Sequence, residues 1–537
     1  MKRITRKSKP VKWLVFSLLL LLPAGFYLLR QASDRSPDVS SAFSIDELKA
    51  RGLDRAVVAK VGDIEITGEE FFISYETGPA FVKRRHRKNP KEAHLRFMIY
   101  EKLMALDGLK SGVLERPDLQ TILEEIRQDL AVTEMFRSDV YDTVTVSRKA
   151  VEQAVSEATV HVNLKYLFAR DAAEFRLLQS RLEQGVPFDS LAVRAGGQRS
   201  GEWPNFWDIK QMDPEFAQAI ASLPFRRLSE VIRTRRGYYL ARVDTVWRNP
   251  FITPPQYNQL LARYEKKLRR LKVDSLAFEY AAARLERAKP VIRGRAFKLL
   301  VDFFKQRNTR EAAGVREALL GNWPGTFDRK GIEPQQNTTL VTTEFGQFTI
   351  KDFLDWYALR RFPLPEDSER AMAATLKSII WRMVRDRILA REAYRRGFDQ
   401  HPQVVEELGW WQEKLAYWEV REALLADLDF TEEQIRAFYE SHKKRYIRPG
   451  KQEPEPFEKV RDEVLRELYT FEEGKRLMYY LHRKEQEYPV TIHTDILNQI
   501  PVTDLRPSRP IDIFVLKKSG TFPRIAYPTI DRVWERY

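Results

Sequence analysis

At 537 residues the chain exceeds what a single hydrophobic core organises, so several domains are expected. The absence of cysteine excludes disulfides, thiolate metal sites, a cysteine nucleophile and a lipid-modified N-terminal cysteine. Net charge is +15, but Lys2, Arg3, Arg6, Lys7, Lys9 and Lys12 supply six of those charges, leaving a mildly basic body with no nucleic-acid-binding module.

Behind that basic flank runs an apolar stretch from Trp13 to Leu29, and no acid occurs before Asp34. As a helix it reaches roughly 25 Å, the short end of a bilayer crossing, with the basic side cytoplasmic. Residues 1–33 are therefore predicted to be a basic tail and transmembrane anchor. A cleaved signal peptide is the alternative, since Ser40-Ser41-Ala42 suits a signal peptidase.

Two distant stretches then read alike. VGDIEITGEEF (Val61 to Phe71) and FGQFTIKDF (Phe345 to Phe353) each predict a strand running into a helix, with Thr67 and Thr349 as N-caps. Met98 to Pro117 aligns without a gap on Met383 to Pro402, pairing Met98/Met383, Leu103/Ile388, Ala105/Ala390, Gly112/Gly397 and Pro117/Pro402 at an offset of 285 residues. Val146 to Val151 and Phe430 to Ile435 follow as a further capped helix at offset 284. Downstream, Tyr257 to Ile292 resembles Phe457 to Ile492, but Pro290 and Pro489 lie only 199 residues apart. The 86-residue shortfall predicts a separately folding insert between about Val160 and Val246 of the first copy. Helical stripes at Leu119, Ile122, Ile126 and Leu130, and at Trp411, Leu415 and Trp418, are expected to be core, while Trp410 and Tyr417 are candidates to line a groove gripping apolar segments.

The insert opens with a strand-like run, His161 to Phe168, and continues into a helix bearing Leu182-x-x-Gly185-x-x-Phe188-x-x-Leu191-Ala192. GEWPNFW (Gly201 to Trp207) leads to Met212-Asp213-Pro214-Glu215-Phe216, and the insert closes on Leu228-Ser229-Glu230-Val231-x-x-Thr234-x-x-Gly237-Tyr238-Tyr239, a turn and a strand. Strand, helix, helix, strand predicts a small α+β domain.

Those three motifs, in that order, resemble the parvulin-type (PpiC) prolyl isomerases, and the frame around them resembles the SurA-, PpiD- and PrsA-type envelope folding chaperones. The resemblance covers roughly Val57 to Ile292 and, without the insert, Leu340 to Ile492. It implies rotation about X-Pro bonds, whose amide resonance sets a barrier of about 20 kcal/mol. No covalent step is needed; an apolar pocket seats the proline ring and placed hydrogen bonds favour the twisted amide. By the resemblance Met212 and Phe216 are proline-pocket residues, with Trp207 and Ser229 as further substrate-binding candidates. Tyr166 and Tyr239 stand where the family carries histidines, which makes them the catalytic candidates. VRAGGQRS, Val193 to Ser200, lacks the family's usual cysteine or aspartate.

The fold class expected is α+β, mostly α-helical, membrane-anchored, with two helical chaperone modules and one inserted parvulin-like domain. The first module spans 45–159 and 250–295 around the insert at 160–247; a connector covers 296–337; the second module spans 338–445 and 453–495, and a tail covers 496–537. The function expected is that of a chaperone binding unfolded exported polypeptides, its isomerase activity weak or lost. An active prolyl isomerase, or a structural partner in an envelope assembly, is the alternative. The location expected is the inner membrane, single-pass, with the bulk in the periplasm, or soluble there after signal cleavage. Seven scattered histidines, no zinc motif and no Gly-rich phosphate loop give no expectation of a metal, of a small-molecule cofactor or of nucleic acid as a partner.

Overall fold

The computed structural model describes residues 44–86, 88–194, 204–248, 251–306, 328–360, 362–503 and 527–537. The predicted anchor lies outside them, and among the described residues no helix is long and apolar enough to cross a membrane. The described residues are mostly helical with three small sheets, and the chain divides into two units, Val140–Leu276 and the rest.

The larger unit begins with α1 (Ile45–Ala50), the hairpin β1 (Val57–Val61) and β2 (Ile64–Thr67), then α2 (Gly68–Thr77), α3 (Phe81–Arg85), α4 (Pro90–Lys110) and α5 (Pro117–Phe136). The smaller unit holds α6 (Arg148–Ala158), β3 (Val160–Ala169), α7 (Ala172–Glu183), α8 (Phe188–Leu191), β4 (Val193–Arg194), α9 (Phe206–Met212), α10 (Pro214–Ala221), β5 (Ile232–Thr234) and β6 (Gly237–Arg248). The helix α11 (Pro254–Ala288) leads from it back into the larger unit. There follow β7 (Val291–Ile292), α12 (Gly294–Lys305), β8 (Thr339–Thr343), β9 (Gly346–Thr349), α13 (Ile350–Arg360), α14 (Glu369–Arg395), α15 (Pro402–Leu425), α16 (Glu432–His442), α17 (Phe457–Glu487), β10 (Val490–Ile492) and α18 (Thr494–Gln499).

The repeat has a local cause in each copy. The Thr67 hydroxyl accepts from the amide of Glu70 and that of Thr349 from Asp352, so both hairpins hand over to a capped helix. Gly112 (φ +71°) and Gly397 (φ +77°) take the left-handed turn after α4 and α14, and Pro117 and Pro402 each open the next helix at a position where a missing amide costs nothing. Thr431 closes a reciprocal capping box with Gln434 at the start of α16.

The copies do not fold side by side. In the sheets the order is β10-β1-β2 and β7-β8-β9, all antiparallel, so the strand ending each copy completes the other copy's hairpin. Assigning 250–295 wholly to the first module and 453–495 wholly to the second misses this exchange. The physical reason is that a hairpin edge presents backbone groups that any extended segment satisfies, and α11, with 35 residues or about 50 Å of helix, delivers β7 to the second hairpin.

Helices from the two copies also interleave. The predicted stripes meet: Leu119, Ile122, Leu123, Ile126 and Leu130 of α5 pack on Val404, Leu408, Trp411 and Leu415 of α15. α4 crosses α15 so closely that a Cβ on Gly108 would lie 2.9 Å from that of Ala416. Ion pairs and one hydrogen bond to a neutral amide also join helices of the two copies. Arg360 of α13 reaches Glu125 and Asp129 of α5, Arg387 reaches Gln128 at 2.5 Å and also Glu125, Lys102 joins Glu70 to Glu413, and Lys414 pairs with Glu101.

In the second copy, residues 443–456 link α16 to α17, with a bridge between Ile447 and Pro454. The equivalent place in the first copy holds the sheet β4-β3-β6-β5, carried on α6 and α11, whose contact is filled by Val151, Val155, Leu261 and Tyr264.

Candidate functional site

The central strands β3 and β6 sort their side chains between two faces. Leu167, Ala169 and Leu240 meet Phe175 of α7 on one face, while Val162, Leu164, Tyr239, Ala241 and Val243 meet α9 and α10 on the other. The second face carries the candidate site.

Asp213 organises it. Buried at the start of α10, its Oδ1 accepts the amide of Phe216 at 3.1 Å, and its Oδ2 accepts the Thr234 hydroxyl at 2.7 Å. One carboxylate thus caps the helix that carries Phe216 and ties it to the end of β5. The turn between β5 and β6 is held to the same helix start: the Arg235 amide donates to Glu215 at 2.7 Å, and the Arg236 guanidinium donates to the carbonyl of Met212. At the turn Gly237 has φ +148°, and a Cβ there would stand 2.2 Å from the carbonyl oxygen of Ala169, so the motif's glycine follows from the approach of β3.

Phe216 is fully buried, and the ring of Tyr239 covers its face with centroids 4.2 Å apart and planes 18° from parallel. Tyr166, half-buried, stands at 5.7 Å from Phe216 and 5.9 Å from Tyr239, and Phe168 lies 4.8 Å from Tyr239. Half-buried Met212 closes the margin of this cluster. The Tyr239 hydroxyl is bonded to Asp213; burial first, and then the charge of that carboxylate, push its pKa well up, so it stays a neutral donor. Chemically the cluster offers one phenol already engaged on a carboxylate, a second phenol on the half-buried side, and an apolar floor closed by an aromatic ring.

Four of the six candidates, Tyr166, Met212, Phe216 and Tyr239, thus come together. Ser229 serves the backbone instead: its amide donates to the carbonyl of Ala241 at 2.8 Å and its hydroxyl accepts the Ala241 amide at 2.9 Å, stitching a loop to β6. Trp207 belongs to a different core. Its buried indole meets Tyr264 edge-on at 5.4 Å, among Val151, Val155 and Leu261. Reading the sequence for histidine replacements passed over Asp213 and Thr234, although an aspartate directly before a proline at a helix start is a capping signal. Among the described residues no cluster of three His, Asp or Glu side chains could hold a metal ion.

No family model matches the chain. It is 19% identical over 220 residues to the foldase protein PrsA of Oceanobacillus iheyensis, a match covering 38% of this chain and 74% of that protein. Among solved structures, it is similar to the peptidylprolyl isomerase PrsA of Bacillus cereus, at 13% identity and TM-score 0.19, over 43% of this chain and 90% of the other. PrsA of Bacillus subtilis gives 15% identity and TM-score 0.15, over 41% and 90%. On the sequence match and the three ordered motifs of the insert together, this chain is similar to PrsA-like foldases with a parvulin-type domain.

Proposed function

We propose that the protein is a folding chaperone of the cell envelope that binds unfolded exported polypeptides, and that its parvulin-like domain works as a peptide-contacting surface with weak or lost isomerase activity. The observation that carries this reading is the covering of Phe216 by Tyr239: the ring offered as a proline-pocket floor has no exposed face. Similarity to a foldase supports the chaperone part. The two interleaved repeats form the client-binding body. Residues 1–33 hold that body at the inner membrane, or are removed to release it into the periplasm.

The test is suppression of aggregation by the full chain, using an unfolded outer-membrane protein, beside a proline-limited refolding assay. Aggregation suppressed at stoichiometric chaperone, with refolding accelerated less than about twofold, is the expected pair of results. No suppression at several-fold excess sinks the reading.

A working isomerase is the second reading, favoured by the Asp213–Thr234 bond that fixes the helix of Phe216 and by the half-buried Tyr166 beside that ring. It requires Tyr166 and Tyr239 to act as the hydrogen-bonding groups and Met212 with Phe216 to seat the proline. Refolding accelerated by the full chain, and no longer by a Met212→Ala, Phe216→Ala double variant that still folds, selects it.

A further inference from the structure

Residues 527–537 lie far along the chain from the elements they touch and fill a cleft bounded by α4, α15 and α17. Trp534 is 1% exposed there, stacked on Phe97 of α4 with centroids 5.7 Å apart and planes at 13°. Glu101 of α4 accepts on one oxygen both the Asp531 backbone amide at 2.6 Å and the Trp534 indole at 2.8 Å. The carboxylate of Asp531 accepts from Tyr417 at 3.2 Å and faces Arg421 at 3.5 Å. At the far end Arg536 pairs with the fully buried Glu473 of α17 at 2.5 Å. Trp410 and Tyr417, the aromatic pair singled out in the sequence, line this same cleft with Glu70, Glu101 and Lys414, and Pro528 to Ile530 stand in its mouth.

Two observations distinguish this segment from ordinary core. It joins no sheet, and its only helix is the short turn Arg532–Arg536; beside the burial of Tyr527, Ile530, Val533 and Trp534, it is held by polar side chains that reach its backbone, its indole and the carboxylate of Asp531. The repeat supplies the second. Asp386 occupies in the second copy the position of Glu101, and it takes its indole donor, at 2.9 Å, from Trp356 of the adjacent α13. The second copy supplies that buried acid's indole donor from within, whereas in the first Lys414 pairs with one oxygen of Glu101 and the other takes its amide and indole donors from residues 531 and 534. A buried carboxylate that accepts a main-chain amide and, one turn later, an indole contacts the backbone and a side chain of the same peptide segment.

We propose that the cleft between α4, α15 and α17 is a peptide-binding site for segments that turn tightly between an acidic residue and a tryptophan three positions later, with residues 527–537 as its resident, exchangeable ligand. Aromatic-bearing unfolded chains are the class that displaces it; only this last step rests on the chaperone reading above.

The test keeps the whole chain. A specific protease site is placed between residues 503 and 527, the folded protein is cut, and a fluorescent peptide of sequence YPTIDRVWERY is added. Exchange of the cut segment for the peptide is expected, with the protein still folded by circular dichroism. Peptides carrying Trp534→Ala or Asp531→Ala are expected to bind at least about tenfold more weakly. An unfolded client is expected to compete with the labelled peptide. Failure of the segment to leave without denaturant, unfolding of the protein when it leaves, or equal binding of the two altered peptides overturns the site. Peptide exchange without client competition leaves the receptor standing and removes clients as its partner, while loss of aggregation suppression with exchange intact counts against the chaperone reading alone.

Discussion

The ring of Tyr239 lies flat on that of Phe216, 4.2 Å between centroids, so the second aromatic hides the first. Phe216→Ala is therefore expected to behave as a deletion within a packed core, lowering the unfolding free energy of the smaller unit by about 3–5 kcal/mol. Denaturant titration followed by tryptophan fluorescence reads this. A cost below about 1 kcal/mol means the ring was a solvent-facing wall.

His94 is the clearest source of pH dependence. It is buried, its Nε2 lies 2.9 Å from the Ser74 hydroxyl, and Phe71 and Tyr75 present their rings to it. Burial first, then the charges of Lys83 and Lys414, lower its pKa from near 6.5 to about 3. The unfolded chain takes up a proton below about pH 6.5 that the folded chain refuses, so this contribution to stability is whole above that pH and is lost as pH falls toward 3. The slope is about 1.4 kcal/mol per pH unit. Urea midpoints between pH 6 and pH 4 are expected to fall less steeply in His94→Gln; parallel slopes contradict the assignment.

Arg360, buried between Glu125 and Asp129, joins one copy to the other. Arg360→Met leaves both acids without that partner and is expected to cost about 3–5 kcal/mol, while Arg360→Met combined with Glu125→Leu and Asp129→Leu recovers most of the loss. Chemical denaturation of the single and triple variants gives the comparison. A triple variant no more stable than the single one shows that the acids are held by other partners.

The strand exchange can be read by covalent trapping, because the chain has no cysteine to interfere. Val291 faces Thr342 across β7 and β8, at the about 4.5–5.5 Å Cα separation that antiparallel partners share and a disulfide tolerates. Val291→Cys with Thr342→Cys is expected to cross-link within one chain on mild oxidation. Val291→Cys with Lys60→Cys, the pair that an unexchanged copy would bring together, is expected to stay reduced. The opposite result replaces the exchanged topology with two self-contained copies.

Much of the repeat could be read in advance because its punctuation is chemical: Gly112 and Gly397 need a left-handed turn, and Pro117 and Pro402 suit a helix start. The apolar stripes of α5 and α15 were equally visible, since a 3.6-residue period leaves few other uses for them. What could not be read is which partner each surface chooses. Hairpin edges do not record whose strand completes them, so the crossing of β7 and β10 left no trace in the residues. At the site, the motifs placed Met212, Phe216, Tyr166 and Tyr239 near one another, but not the ring-on-ring contact, which depends on the turn at Gly237. Trp207 was misplaced because α9 is buried on two sides, sending Ile209 toward the sheet and the indole toward α11. The last residues are illegible in sequence for a related reason: Asp531 and Trp534 find their partner in Glu101, more than four hundred positions earlier.

The pairing of β1 with β10 has a consequence in time as well as space. A polypeptide emerging from a ribosome or translocon presents Val57–Val61 long before Val490–Ile492 exists, so the first hairpin waits with one flank open for nearly the whole of synthesis. The second sheet has all its strands once Thr349 has emerged, whereas the first closes only as a late event, and a chain stopped short of residue 490 leaves the sheet of Val57–Val61 unclosed.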